Sequence, residues 1–74
     1  MKVKFNFDGV NYTAYVRDVE YHITTTTAYY DVDILMFDGK VLEGRDADRY
    51  IDSQVGYLED AMTPAVVKAW REQA

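Results

Sequence analysis

Four carboxylates and the only histidine of this chain lie close together, on either side of a run of four threonines. Asp18 and Glu20 precede the run, Asp31 and Asp33 follow it, and His22 stands just before it. Paired carboxylates can serve general acid–base catalysis, and a histidine beside a carboxylate can activate a nucleophile. Carboxylates can also bind cations such as calcium.

The rest of the sequence argues against each of these uses. One histidine without any cysteine cannot build a zinc site, and nothing resembles an EF-hand loop. Acid–base chemistry needs a cleft, which an exposed sheet face lacks. We therefore expect no catalytic residue, no metal ion and no cofactor, and we predict that the protein is not an enzyme. His22 is predicted to be a surface residue without a catalytic role.

Alternating apolar and polar residues indicate that these side chains lie on a β-sheet. The predicted strands cover residues 2–7, 10–23, 28–37 and 40–43. Asp8-Gly9 and Asp38-Gly39 are strong signals for tight hairpin turns. The threonine run at 24–27 has neither glycine nor proline, so it predicts a loose loop of about four or five residues.

The apolar parity of the second strand changes after Arg17-Asp18, which predicts a β-bulge there. The alternative is a strand that crosses between two packing environments. In the third strand, Tyr30, Val32, Ile34 and Met36 are predicted to face the core. The other predicted core-facing strand residues are Val3, Phe5, Phe7, Val10, Tyr12, Ala14, Val16, Val19, Tyr21 and Ile23.

Helical spacing of apolar residues predicts two helices, at about 47–62 and 64–73. Asp46 is the predicted N-cap of the first helix, and Thr63-Pro64 is the predicted start of the second. The sequence thus predicts a single α+β domain over residues 1–74, a four-stranded antiparallel meander with two C-terminal helices packed on one face. The predicted helix–sheet contacts join Ile51, Val55 and Leu58 to Phe5, Tyr12 and Ile34.

Strand parity places the four carboxylates on the outward face of the sheet. If Thr25-Thr26 is the tip, Glu20 lies opposite Asp31, and Asp18 lies opposite Asp33. Opposed like charges cost stability. Two interpretations stay open: a surface that docks on a basic partner, or a solvated edge relieved by nearby arginines. The candidate arginines are Arg17, Arg45 and Arg49.

Tyr15, Tyr29, Leu35 and Phe37 share the predicted outward face. An exposed row of such side chains is typical of an interface, unless Met1 or the Trp70 segment wraps over it. The predicted partner-binding residues are Asp18, Glu20, Asp31, Asp33, Tyr15, Tyr29 and Phe37.

The charge balance indicates the kind of partner. Eight Lys and Arg against 13 Asp and Glu leave a net charge of −5, which disfavours direct nucleic-acid binding and favours a basic protein partner; the alternative is that the charge serves only solubility. No apolar run approaches the ~20 residues of a membrane span, and Met1-Lys2-Val3-Lys4 has no signal-peptide core. We therefore predict a cytoplasmic protein without membrane contact.

Gly44-Arg45-Asp46-Ala47-Asp48 and Leu58-Glu59-Asp60-Ala61-Met62 frame the predicted first helix. In these strings the C-terminal third resembles a small phage-encoded anti-CRISPR protein of the type I-F class. The resemblance implies a protein that blocks a larger host complex by binding it, in the host cytoplasm if phage-encoded. We therefore expect a non-catalytic inhibitor that docks its acidic and aromatic face on a basic, nucleic-acid-handling complex. The alternative is a small structural or assembly subunit that works as a homo-oligomer, such as a homodimer.

Overall fold

A computed structural model of the protein describes residues 1–73 and has the predicted α+β architecture. The four strands form one antiparallel sheet in sequence order, and both helices contribute to a single core against one of its faces. The elements are β1 Lys2–Phe7, β2 Val10–His22, β3 Thr27–Phe37, β4 Lys40–Glu43, α1 Arg45–Ser53 and α2 Tyr57–Gln73.

The two Asp-Gly pairs make the tight turns that the sequence predicts. Asp8 and Asp38 have φ values of 54° and 48°, and the glycines that follow them have φ values of 78° and 74°. Two successive residues with positive φ match the right-handed twist of the flanking strands. At the opposite end of the sheet, a four-residue loop over 23–26 joins β2 to β3.

The predicted β-bulge on β2 is confirmed. Arg17 pairs with Asp31, and the next paired residue on β2 is Glu20, opposite Tyr29. The β2 chain therefore advances three residues while β3 advances two, and Asp18 adopts a φ of 55°. The extra residue moves the core-facing side chains of β2 from even to odd positions, to Val19 and Tyr21. The same prediction for Ile23 is wrong, because β2 ends at His22 and Ile23 is 76% exposed in the loop.

A second irregularity, on β3, makes the predicted facing of this strand wrong beyond Val32. Tyr15 pairs with Ile34 while the adjacent Val16 pairs with Val32, so Asp33 is an extra residue on β3. As a result, Leu35 and Phe37 are buried, whereas Ile34 and Met36 face away from the core. Residues 34–37 are all apolar, so this segment has no alternation from which the facing could be predicted.

The helix boundaries also differ from the prediction. The first helix ends at Ser53 rather than continuing to residue 62, and Val55 and Gly56 follow with φ values of 56° and 80°. The second helix then runs through Pro64 instead of starting there. A glycine able to adopt positive φ just past a helix favours this ending, whereas an interior proline costs one backbone hydrogen bond.

The break changes which residues reach the core. Val55, predicted to be buried, is 79% exposed, whereas Leu58, Met62 and Val66 of α2 are buried at the four-residue spacing of one helix face. The predicted Asp46 cap is also wrong, because α1 starts at Arg45 after Gly44 and has no side-chain cap.

Aromatic rings fill the core between β1, the tight turns and α1. Tyr12 stacks on Phe5 with ring centroids 5.2 Å apart, and Phe37 lies between Tyr12 and Tyr50 at 4.8 and 4.7 Å. The Tyr12 and Tyr50 hydroxyls are 3.1 Å apart. Burial, and then the hydrogen bond with Tyr50, raises the pKa of the Tyr12 phenol, so the core keeps this group neutral.

Replacing Val55 by glycine is expected to stabilise the protein. A β-branched residue with positive φ costs about 1–2 kcal/mol, partly offset by the extra freedom that glycine gives the unfolded chain. We expect a net gain of roughly 0.5–1 kcal/mol, seen as a higher melting temperature. The control is Gln54→Gly at a φ of −87°, where glycine relieves no strain and should lower stability. A lower melting temperature for Val55→Gly would contradict the break at this residue.

Candidate functional site: the uncovered sheet face

The helices cover one face of the sheet and leave the other open. Two rows of neighbouring residues cross the open face from β1 to β4: Lys2, Tyr15, Ile34 and Glu43, and then Lys4, Thr13, Met36 and Val41. Both rows are basic at the β1 end, and their apolar residues are Tyr15 and Ile34 in the first row and Met36 and Val41 in the second. We call Tyr15, Ile34, Met36 and Val41 the apolar strip.

The apolar strip is accessible to a partner. Met36 and Val41 are 37% and 55% exposed, and Tyr15 and Ile34 are half-buried. Four neighbouring apolar side chains on an open face are more than the isolated surface hydrophobics that soluble proteins normally carry. The sequence prediction included Tyr15 but missed the other three. The second irregularity on β3 turns Ile34 and Met36 outward, and Val41 lies beside Met36 on β4.

Beside this strip, three carboxylates surround one guanidinium group. Arg17 donates through Nε to Asp33 at 2.8 Å and through Nη1 to Asp18 at 2.7 Å, and its Nη1 lies 3.7 Å from Asp31. The hydrogen bond to Asp33, followed by the charges of these carboxylates, raises the pKa of Arg17. Because one positive charge faces three negative ones, the cluster remains acidic. We call Arg17, Asp18, Asp31 and Asp33 the acidic cluster.

The predicted carboxylate pairs across the hairpin are wrong, for a reason of register. Glu20 lies opposite Tyr29 rather than Asp31, because the loop covers residues 23–26 and pairs His22 with Thr27. Its carboxylate instead approaches His22 Nε2 at 3.6 Å, at the exposed end of the hairpin. Arg17 occupies the position opposite Asp31, so the predicted like-charge contact is replaced by an ion pair.

The predicted aromatic row is divided by the fold. Tyr29 is 59% exposed and packs edge-on against His22 at 5.5 Å. Tyr15 belongs to the apolar strip. Phe37 and Leu35 are buried in the core and cannot form part of the open face, which corrects the prediction. The Trp70 segment does not cover them, because Trp70 packs against Tyr21 with ring centroids 6.0 Å apart. Phe37 and Leu35 are buried because their side chains face the core.

The threonine hydroxyls near His22 are hydrogen-bonded to the backbone of the loop. The hydroxyls of Thr26 and Thr27 donate to the carbonyl of Thr25, at 2.7 and 3.2 Å, rather than to His22. Among residues 1–73, no group of three or more His, Cys, Asp and Glu side chains is arranged to hold a metal ion.

Two further findings complete the description of the site. Within the described part of the chain, no helix has the length and apolar character needed to cross a membrane. Comparisons with protein-family models, with curated proteins and with solved structures found no match to this chain.

Proposed function

We propose that the chain is a non-catalytic protein-binding module that docks through its open sheet face. The observation that supports this most strongly is the apolar strip beside the acidic cluster on a face that no helix covers. Interfaces commonly combine an apolar centre with a polar rim. Tyr15 and Met36 would lie in the centre of the contact, and Asp31 and Asp33 would lie at its rim.

The partner that fits the acidic cluster of this surface is basic. The chain carries a net charge of −5, and the acidic cluster holds three carboxylates against one arginine. Such a surface attracts a basic protein by long-range steering and repels nucleic acid. We propose that the partner is a nucleic-acid-handling host complex in the cytoplasm. The chain would inhibit it by covering its basic surface, which is the role that the anti-CRISPR resemblance implies.

The double variant Asp31→Asn/Asp33→Asn tests the acidic rim of this surface. Both carboxylates are exposed, and asparagine can still accept a hydrogen bond from Arg17, so the melting temperature should change by only a few degrees. Binding should weaken, mainly through a slower association rate, and should depend less on salt. The measurement is capture from a bacterial lysate with mass spectrometry, followed by binding kinetics with the captured protein at two salt concentrations.

The matched control is Asp8→Asn/Asp38→Asn. It removes the same charge at the tight turns, where asparagine also tolerates positive φ. A partner captured by the wild type and by this control, but weakly by the Asp31/Asp33 variant, supports the proposal. Equal capture by all three proteins, with unchanged salt dependence, would reject the acidic rim as a docking surface.

The second candidate function is that of a structural or assembly subunit that works as a homo-oligomer. The apolar strip favours it, because an exposed apolar patch can equally bury itself against a second copy. Sedimentation of the purified protein distinguishes the two functions. A fixed oligomer that Met36→Lys dissociates would support self-assembly, and a monomer would support a separate partner.

A further inference from the structure

The edge of β3 that faces β4 is open over half of its length. β4 is only four residues long and pairs with Ile34–Phe37 alone. One further backbone hydrogen bond, from the Gly44 N–H to the Asp33 carbonyl at 2.9 Å, occupies the next residue of this edge of β3. Within residues 1–73, no strand pairs with this side of Thr27–Val32. An unpaired strand edge is a template on which another extended chain can add.

A groove runs along this open edge, between β3 and the two helices. It consists of two cavities of about 260 and 270 Å³, both lined by Tyr30 and Glu59. The floor of the first cavity is apolar and contains Val32, Ile51 and Met62. We call these two cavities together the edge groove.

Carboxylates line both cavities of the edge groove. Among the described residues the lining includes five carboxylates and no Lys or Arg, and Arg17 pairs with two of them, Asp18 and Asp31. Burial raises the pKa of the Tyr30 phenol, and the nearby negative charges of Glu59 and Asp60 raise it further. The lining carboxylates are Asp18, Asp31, Asp48, Asp52 and Glu59.

We infer that the edge groove binds an extended lysine- or arginine-rich segment of a partner protein, which adds to β3 as a fifth strand. The open edge supplies backbone hydrogen bonds along Thr27–Val32. Alternate side chains of the added strand would point toward the groove and toward the open sheet face, where Asp31 lies. Basic residues are therefore favoured on both sides of the segment.

Charge favours a basic peptide segment in the edge groove over a second copy of the chain or a nucleic acid. Two copies of the edge groove would bring carboxylates against carboxylates, and a nucleic acid would bring phosphates against them. The inference rests on the proposed protein-binding function and adds the mode of binding and the chemistry of the bound segment.

The probe is a synthetic eight-residue peptide in which two lysines and two valines alternate as pairs, so that each side of the extended chain carries lysine. Its control is the same peptide with alternate backbone nitrogens methylated, which keeps the charge and removes backbone donors. We expect the first peptide alone to protect from hydrogen exchange those amides of Thr27–Val32 that point away from β2, with the control at least tenfold weaker in binding. Equal binding of both peptides would show attraction by charge alone and overturn the inference. Protection of these amides without any peptide, together with self-association, would assign the edge to a second copy.

A pair of protein variants tests the groove walls. Asp52→Asn/Glu59→Gln should weaken peptide binding by roughly three- to tenfold, since it removes two charges from the lining. Asp46→Asn/Glu72→Gln makes the same change on the same two helices outside the edge groove and should bind normally. Equal affinities of the two variants would overturn the inference. A groove variant that still captures the lysate partner, with capture lost in Met36→Lys on the open sheet face, would refute strand addition while the proposed function stands.

Discussion

The variant Phe37→Ala is expected to lose most of the stability of this domain. Phe37 is 8% exposed and lies between the rings of Tyr12 and Tyr50, so truncation removes contacts to both and leaves a cavity. Removing a buried phenylalanine costs about 3–5 kcal/mol, and a domain this small has little more than that in total. Chemical denaturation monitored by circular dichroism measures the loss of unfolding free energy.

Tyr29→Ala is the matched control, because Tyr29 belongs to the same strand and the same predicted aromatic row. Its side chain is 59% exposed, so the change should alter stability by no more than about 0.5 kcal/mol. The two variants together test the facing of β3 beyond Asp33. A stable Phe37→Ala protein would mean that Phe37 faces outward, and the apolar strip would then have to be assigned again.

Leu58→Ala should cost roughly 2–5 kcal/mol, for a different structural reason. Leu58 is fully buried in the second residue of α2, at the point where the helix first meets the core. Its loss would leave a cavity beside Met62, close to the break between the two helices. A thermal melt is the measurement, and a melting temperature within a few degrees of the wild type would show that Leu58 is not a core residue.

The control for Leu58 is Val55→Ala, three residues earlier. A continuous helix over 47–62 would bury both side chains and make both truncations costly. The structure has Val55 79% exposed, so its truncation should leave stability nearly unchanged. Comparable losses in the two variants would therefore restore the continuous helix and contradict the break at Gln54-Val55-Gly56.

Local signals were sufficient for the order and class of the secondary structure. Strict alternation in Lys2–Phe7 and the Asp-Gly pairs placed the strands and the tight turns, because side-chain period and turn chemistry act over a few residues. The β-bulge on β2 was also predictable, since the apolar parity changes visibly across Arg17-Asp18.

Other features depended on contacts between distant segments. Because Ile34–Phe37 are all apolar, either alternate set of their side chains could face the core. Only the packing of Phe37 against Tyr12 and Tyr50 decides that Phe37 points inward. The helix break at Gln54-Val55-Gly56 was missed because apolar residues recur at helical spacing from Ala47 to Met62, and the break was placed instead at the local start signal Thr63-Pro64. A continuous α2 instead allows Leu58, Met62 and Val66 to reach the core together, which outweighs the cost of an interior proline.

The candidate site, too, was predictable from the sequence only in part. The sequence by itself determined that Asp18, Asp31 and Asp33 lie near one another on a hairpin, because they occupy neighbouring strands joined by a short loop. Only the tertiary structure decided which of the three candidate arginines, Arg17, lies among them. It also decided that Ile34, Met36 and Val41, rather than Tyr29 and Phe37, adjoin Tyr15. The physical reason is register: one extra residue on each strand changes which side chains meet and which face they share, and packing of the whole sheet selects that register.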